Sequence, residues 1–131
     1  MIEIYIDGAC AGNPGKIGVG YLIYKNKKLI KKDCISLGVQ TNNFAEYMAL
    51  IFSLTDAISI GEKDCKVYSD SQLLCEQIKG KYRVKNNNIL SLFILVKTII
   101  SKLRFFEITH IEREKNQEAD KLAKKAVGFL E

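Results

Sequence analysis

Hydrophobic spacing along this chain changes period in a set order, and that order limits the folds open to it. Ile2, Ile4 and Ile6 alternate with Glu3 and Tyr5, the two-residue period of a strand. Val19–Tyr24 and Leu29–Leu37 read as two further strands, joined by a hairpin turn at Lys25-Asn26-Lys27-Lys28. The glycine-rich run from Asp7 to Gly15 reads as a turn or loop. Three short strands linked in this way predict an antiparallel meander. The period then lengthens. Phe44, Tyr47, Met48, Ile51, Leu54 and Ile58 make a helical stripe behind the candidate caps Thr41, Asn42 and Asn43, and Gly61 ends it. Cys65–Ser69 reads as a strand, and Asp70 or Ser71 can cap a helix reaching about Ile78. After an irregular basic stretch, Lys79–Lys85, a helix is expected from about Asn88 to Leu103, then a strand over Arg104–Ile111. The last helix is expected over Gln117–Leu130, with Ala119, Leu122, Ala123, Ala126, Val127 and Leu130 facing inward.

The order βββαβα(α)βα predicts an α/β fold, a mixed sheet with helices packed on its faces. The chain has 131 residues, which suits a single domain over 1–131 with a substantial core. The Asn88–Leu103 helix is apolar on more than one face, so it is expected to be packed on both sides or covered by a partner subunit. Its greasiest part, Ile89–Ile100, is too short to span a bilayer and carries Lys97. Met1-Ile2-Glu3-Ile4 has no basic lead-in of the secretory kind, so a cytoplasmic protein without membrane contact is expected. Cys10, Cys34, Cys65 and Cys75 are scattered, with no C-x-x-C pair, and His110 is the single histidine. That pattern favours reduced thiols over a zinc site. A net charge of +5 leans weakly towards a polyanionic partner.

Four carboxylates stand out against this background. Asp7 and Asp70 each close a strand at its carboxyl end, the edge where open α/β sheets bind ligands. Asp70 is equally well explained as a cap for the next helix. Glu46 lies off its helix's apolar stripe, so periodicity alone reads it as a solvated side chain. Asp120 flanks the Ala119/Ala123 stripe, where an unpaired carboxylate is costly. Asn116, one turn earlier, is placed to steady it.

Four segments carry a resemblance. Tyr5-Ile6-Asp7-Gly8 with Gly12-Asn13-Pro14-Gly15, Thr41-Asn42-Asn43-Phe44-Ala45-Glu46, Tyr68-Ser69-Asp70-Ser71-Gln72 and Asn116-Gln117-Glu118-Ala119-Asp120 follow one another across nearly the whole chain. In order and spacing they resemble type 1 ribonucleases H and the related domain of reverse transcriptases. The resemblance implies a ribonuclease H-like fold, with a five-stranded sheet of order 3-2-1-4-5 flanked by helices. It implies an endoribonuclease that cuts the RNA strand of RNA–DNA hybrids, leaving 5′-phosphate and 3′-hydroxyl ends. It also implies two Mg²⁺ ions, with Mn²⁺ as a substitute, held roughly 3.5–4 Å apart by Asp7, Glu46, Asp70 and Asp120. By position, Asp7 would bridge both ions, Asp120 would hold the ion that activates water, and Glu46 and Asp70 the ion at the leaving 3′ oxygen. Hard divalent cations suit such a set, because several close carboxylates cannot all stay ionised without them.

The same resemblance places Asn13, Asn42 and Gln72 at RNA 2′-hydroxyls, the group that separates RNA from DNA, and Thr41 at a DNA-strand phosphate. Each also has a local explanation as a turn or cap residue. Two departures matter. Longer members carry a basic, tryptophan-containing protrusion; this chain has no tryptophan and only Lys79-Gly80-Lys81-Tyr82-Arg83-Val84-Lys85. Lys81, Arg83 and Lys85 alternate, so an extended backbone would align them as a reduced phosphate strip or as a solvated loop. Many members also place a histidine in the loop before the final Asp, where this chain has Glu112-Arg113-Glu114-Lys115. His110 reads as a structural strand residue, which would leave proton shuttling to Glu114 or solvent. Two alternatives stay open: a non-catalytic nucleic-acid-binding module on the same fold, and another nuclease of the superfamily such as a junction resolvase. No obligate protein partner is evident.

Overall fold

In the computed structural model, described over residues 1–128, β1 (Ile2–Gly12) pairs antiparallel with β2 (Gly15–Lys25), and β2 with β3 (Lys28–Gln40). Asn26 and Lys27 at the β2–β3 turn both have positive φ, the backbone twist that matches a two-residue hairpin. Helix α1 (Asn42–Ser59) leads to β4 (Asp64–Ser69), α2 (Gln72–Ile78), α3 (Asn87–Ile100), β5 (Phe105–His110), a 3-10 turn (Arg113–Lys115) and α4 (Gln117–Ala126). β4 lies parallel to β1 and β5 parallel to β4, so the sheet order is β3-β2-β1-β4-β5. This is the expected 3-2-1-4-5 mixed sheet.

The faces of the sheet are set by alternation. Ile2, Ile4 and Ile6 of β1 and Ile17, Val19, Tyr21 and Ile23 of β2 point into one core with Ala45, Leu50, Leu54 and Ala57 of α1. Each such isoleucine is fully buried, worth about 1.5–3 kcal/mol relative to exposure. α4 covers the opposite face and can do so only because β2 carries glycine there. A Cβ at Gly20 would sit 2.6 Å from the Ala123 amide nitrogen, and one at Gly18 2.8 Å from the Ala123 carbonyl. α3 packs on α1, and Lys97 donates to the Ile78 carbonyl at 2.6 Å, satisfying the end of α2.

The structure departs from the expectations in several places. The Asp7–Gly15 run is a hairpin rather than a loop: β1 continues to Gly12 and β2 begins at Gly15, because ladder pairing overrides the weak strand propensity of glycine. α3 starts at Asn87, capped by the Asn86 side chain, and stops at Ile100, with Ser101–Leu103 turning towards β5. Within the chain it packs on one side: Ile89 and Val96 are buried, while Leu90, Ile94 and Leu95 are exposed, which leaves of the two expectations only the one in which a partner subunit covers that face. The 3-10 turn gives no periodic signal in three residues and was not expected. The inward position foreseen for Leu130 lies outside the described residues.

Candidate active site

Strand register builds the site. Ile6 pairs with Ser69 in the parallel β1–β4 ladder, so the next residues, Asp7 and Asp70, stand side by side at the carboxyl edge. Asp70 is free for this position because Ser71, not Asp70, caps α2, accepting from the Leu74 amide at 3.1 Å. Glu46 arrives from α1. Thr41 caps that helix through the Phe44 amide at 3.2 Å, and the first turns press against β1 at Gly8. A Cβ on Gly8 would lie 2.7 Å from the Ala45 carbonyl carbon and the Glu46 nitrogen. Contrary to the periodicity reading, Glu46 is therefore buried, 5% exposed, beside Asp7 at 4%. Carboxylate oxygens of Asp7, Glu46 and Asp70 all lie within 4.8 Å of one another.

Asp7 and Glu46, so close to each other and to Asp70 and mostly out of water, resist ionisation. Burial first, then the charges of Glu46 and Asp70, raise the Asp7 pKa to about 10. Burial and Asp70 raise Glu46 to about 8, opposed by the Gly8 backbone and by Arg113. Asp120 joins from α4 beside Asp7 but behaves differently. Burial pushes it up, yet the Lys124 ammonium and a hydrogen bond with Asp7 outweigh burial, and its carboxyl sits below the usual range. Glu46 Oε1 and Asp70 Oδ2 are buried and accept no hydrogen bond among the described residues. Unsatisfied acceptors of this kind, clustered and anionic, fit a hard divalent cation.

The model of a family described as reverse transcriptase-like matches residues 5–126. The chain is 33% identical over 128 residues to the bifunctional protein Rv2228c of Mycobacterium tuberculosis, covering 96% of this chain and 35% of that protein. It is 32% identical to ribonuclease HI of Halobacterium salinarum, over 96% of this chain and 64% of the relative. The crystal structure of the H. salinarum RNase H1 superimposes with a TM-score of 0.94 at 31% identity, covering 98% of both chains. LC11-RNase H1, solved in complex with an RNA/DNA hybrid, gives 0.91 at 35% identity, over 97% and 96% of the two chains. The chain belongs to the type 1 ribonuclease H family. It spans about a third of the mycobacterial relative's length and under two thirds of the halobacterial one's.

The other candidate contact residues lie partly beside the carboxylates and partly away from them. Asn13, Thr41 and Asn42 come together at the start of α1, where the Asn42 amide donates to Asn13 Oδ1 at 3.0 Å. Thr41 caps the helix, and among the described residues its hydroxyl proton has no acceptor and can donate to a ligand. Gln72, the first residue of α2, is exposed on the same edge as Asp70. Lys81, Arg83 and Lys85 are exposed but lie beyond the other end of α2, a helix of seven residues and so roughly 10 Å long. Asn116 does not steady the Asp120 carboxylate. Its Nδ2 donates to the Ile6 carbonyl at 2.8 Å, pinning the start of α4 to the backbone just before Asp7.

Arg113 was missed by sequence reasoning. It sits in the 3-10 turn, close enough to Glu46 and Asp120 to lower both, and lines a depression with Glu114 and Asp120. Its only sequence signal is a cation three residues before Asn116, too common to single out. His110 is exposed at the end of β5, with Nε2 3.3 Å from the Asp70 backbone oxygen. That contact braces the β4–α2 connection and reaches no carboxylate. His110→Ala is therefore expected to keep turnover within about tenfold, roughly 1.4 kcal/mol of barrier. Glu114→Gln should slow turnover more if that carboxylate shuttles protons. Single-turnover and steady-state rates on one hybrid compare the two; a hundredfold loss in His110→Ala with normal melting would assign the role to the histidine.

Proposed function

We propose that the chain is a ribonuclease H that hydrolyses the RNA strand of RNA–DNA hybrids, leaving 5′-phosphate and 3′-hydroxyl ends. The observation that carries this reading is the convergence of Asp7, Glu46 and Asp70 within 4.8 Å, with Asp120 alongside, next to a helix start that offers Asn13, Thr41 and Asn42. Two Mg²⁺ ions, or Mn²⁺, would be held by Asp7, Glu46, Asp70 and Asp120. Bound there, they supply the Lewis acidity and activated water for in-line displacement at phosphorus. In this reading Asp7 would be a ligand to both ions, Asp120 would serve one, and Glu46 and Asp70 would serve the other. Asn13, Asn42 and Gln72 meet 2′-hydroxyls, and Thr41 a DNA-strand phosphate. The RNA/DNA hybrid bound to LC11-RNase H1 supports a hybrid as substrate here. All four cysteines are free thiols, which supports a reducing, cytoplasmic setting. Among the described residues no helix is long and apolar enough to cross a membrane.

A labelled RNA–DNA hybrid tested beside RNA–RNA, DNA–DNA and single-stranded RNA, with and without Mg²⁺ or Mn²⁺, decides the matter. Metal-dependent cleavage of the hybrid's RNA strand alone is the expected result; equal cleavage of duplex DNA would favour another nuclease of the superfamily. If Lys81, Arg83 and Lys85 touch phosphates, changing all three to Ala weakens hybrid binding without altering strand choice. The slope of log affinity against log salt should then fall by about 0.9 for each phosphate no longer neutralised. An unchanged slope would make the strip an ordinary solvated loop.

A further inference from the structure

Asp120 is the odd member of the acidic set. It stands beside Asp7, yet its oxygens fall outside the group in which Asp7, Glu46 and Asp70 gather. One turn further along α4, Lys124 Nζ lies 3.0 Å from Asp120 Oδ2. The Asp120 side chain is only 19% exposed, so this pair is better shielded than the usual helix-surface pair. Lys121, the neighbouring lysine, pairs instead with Glu118 at 3.8 Å, and both of those side chains are well exposed. Among the described residues Lys124 is therefore the one ammonium group seated on a carboxylate of the site.

We propose that Lys124 is an internal counter-cation of Asp120 that a divalent ion must displace, so that it weakens and orders the loading of the Asp120-dependent ion. The inference rests on the reading of the four carboxylates as a metal site. Its physical basis is competition for the same charge. An ammonium 3.0 Å from Asp120 Oδ2 takes up one of that oxygen's lone pairs, neutralises much of the carboxylate's charge and repels a divalent cation brought to the same group. The remaining carboxylates have no such rival among the described residues, since Glu46 Oε1 and Asp70 Oδ2 accept nothing. The ion held by Asp7, Glu46 and Asp70 therefore loads first, and the Asp120-dependent ion follows at higher concentration.

Calorimetric titration of the full chain with Mn²⁺ alone, without nucleic acid, tests this directly. The relevant step is the one that Asp120→Asn removes. Lys124→Gln should tighten that step about three- to tenfold, or bring it into range where wild type does not reach it, and leave the first step unchanged. Lys124→Arg should restore the weak affinity. Lys121→Gln, which removes the same charge from the same helix, should shift it less than twofold. In chelator, Lys124→Gln should also melt lower than wild type and gain more from added Mn²⁺. Equal effects of Lys124→Gln and Lys121→Gln would reduce the pair to general charge and overturn the proposal, as would an Asp120-dependent step left unchanged or weakened in Lys124→Gln. Wild type and every variant binding no divalent ion would instead sink the metal-site reading itself.

Discussion

Asp7→Asn is expected to abolish hybrid cleavage, a loss on the order of a thousandfold or about 4 kcal/mol of barrier, while the fold stays intact. Asp7 is the central carboxylate of the edge, near Glu46, Asp70 and Asp120. Its removal strips a ligand that both ions would share. The same substitution should stabilise the metal-free protein, because it removes one member of a crowded acidic group. The pH dependence carries the sign. Folding raises the Asp7 pKa from the ordinary carboxylate value to about 10, so between those limits the folded state holds a proton that the unfolded chain gives up. In chelator the stability tied to Asp7 is complete at low pH and is lost as pH rises through that window. Melting temperature should thus fall between pH 5 and pH 8 in chelator, less steeply in Asp7→Asn. Mn²⁺ should raise the melting temperature of wild type more than that of the mutant. Near-normal activity in Asp7→Asn would end the mechanism.

Gly8→Ala should damage both stability and activity, by a purely steric route. The added methyl would meet the backbone of Ala45 and Glu46 at 2.7 Å, and backbone cannot swing aside as a flexible side chain would. Overpacking of this kind costs typically 1–3 kcal/mol. The displaced element is the turn that carries Glu46, and a shift of about 1 Å at a reacting group can cost roughly a hundredfold in rate. Thermal melting and steady-state cleavage measure the two losses separately. A Gly8→Ala protein with wild-type melting and turnover would show that α1 does not need this contact to place Glu46.

Much of the fold is legible in short windows of sequence. The isoleucine alternation of β1, the stripe of α1 and the Ala119/Ala123 spacing of α4 are local patterns, and each produces the element it implies. Asp70 is visible as a carboxylate just past a strand end, whereas Asp7, read the same way, lies in the middle of β1 at the point where the shorter β4 stops beside it. Glu46 is different: its burial is caused by Gly8 on another element, so no window along α1 contains the cause, and only the family resemblance singles it out. Asn116 stands out in sequence for the wrong reason. Its partner is the Ile6 carbonyl, 110 residues away in sequence. Arg113 escapes notice because a charged residue in a short turn carries no pattern.

What the sequence by itself determined is the succession of strands and helices, the main apolar stripe of β1, α1 and α4, and the position of Asp70 just past a strand end. Those properties depend on neighbours two to four residues apart, which periodicity records. Only the tertiary structure decided that β1 and β4 pair with Ile6 opposite Ser69, that glycines at 8, 18 and 20 let α1 and α4 settle onto the sheet, and that Asn116 reaches the Ile6 carbonyl. The electrostatics follow from those contacts. A carboxyl group's pKa depends on distances of a few ångströms to groups far away along the chain, and such distances exist only once the sheet has assembled.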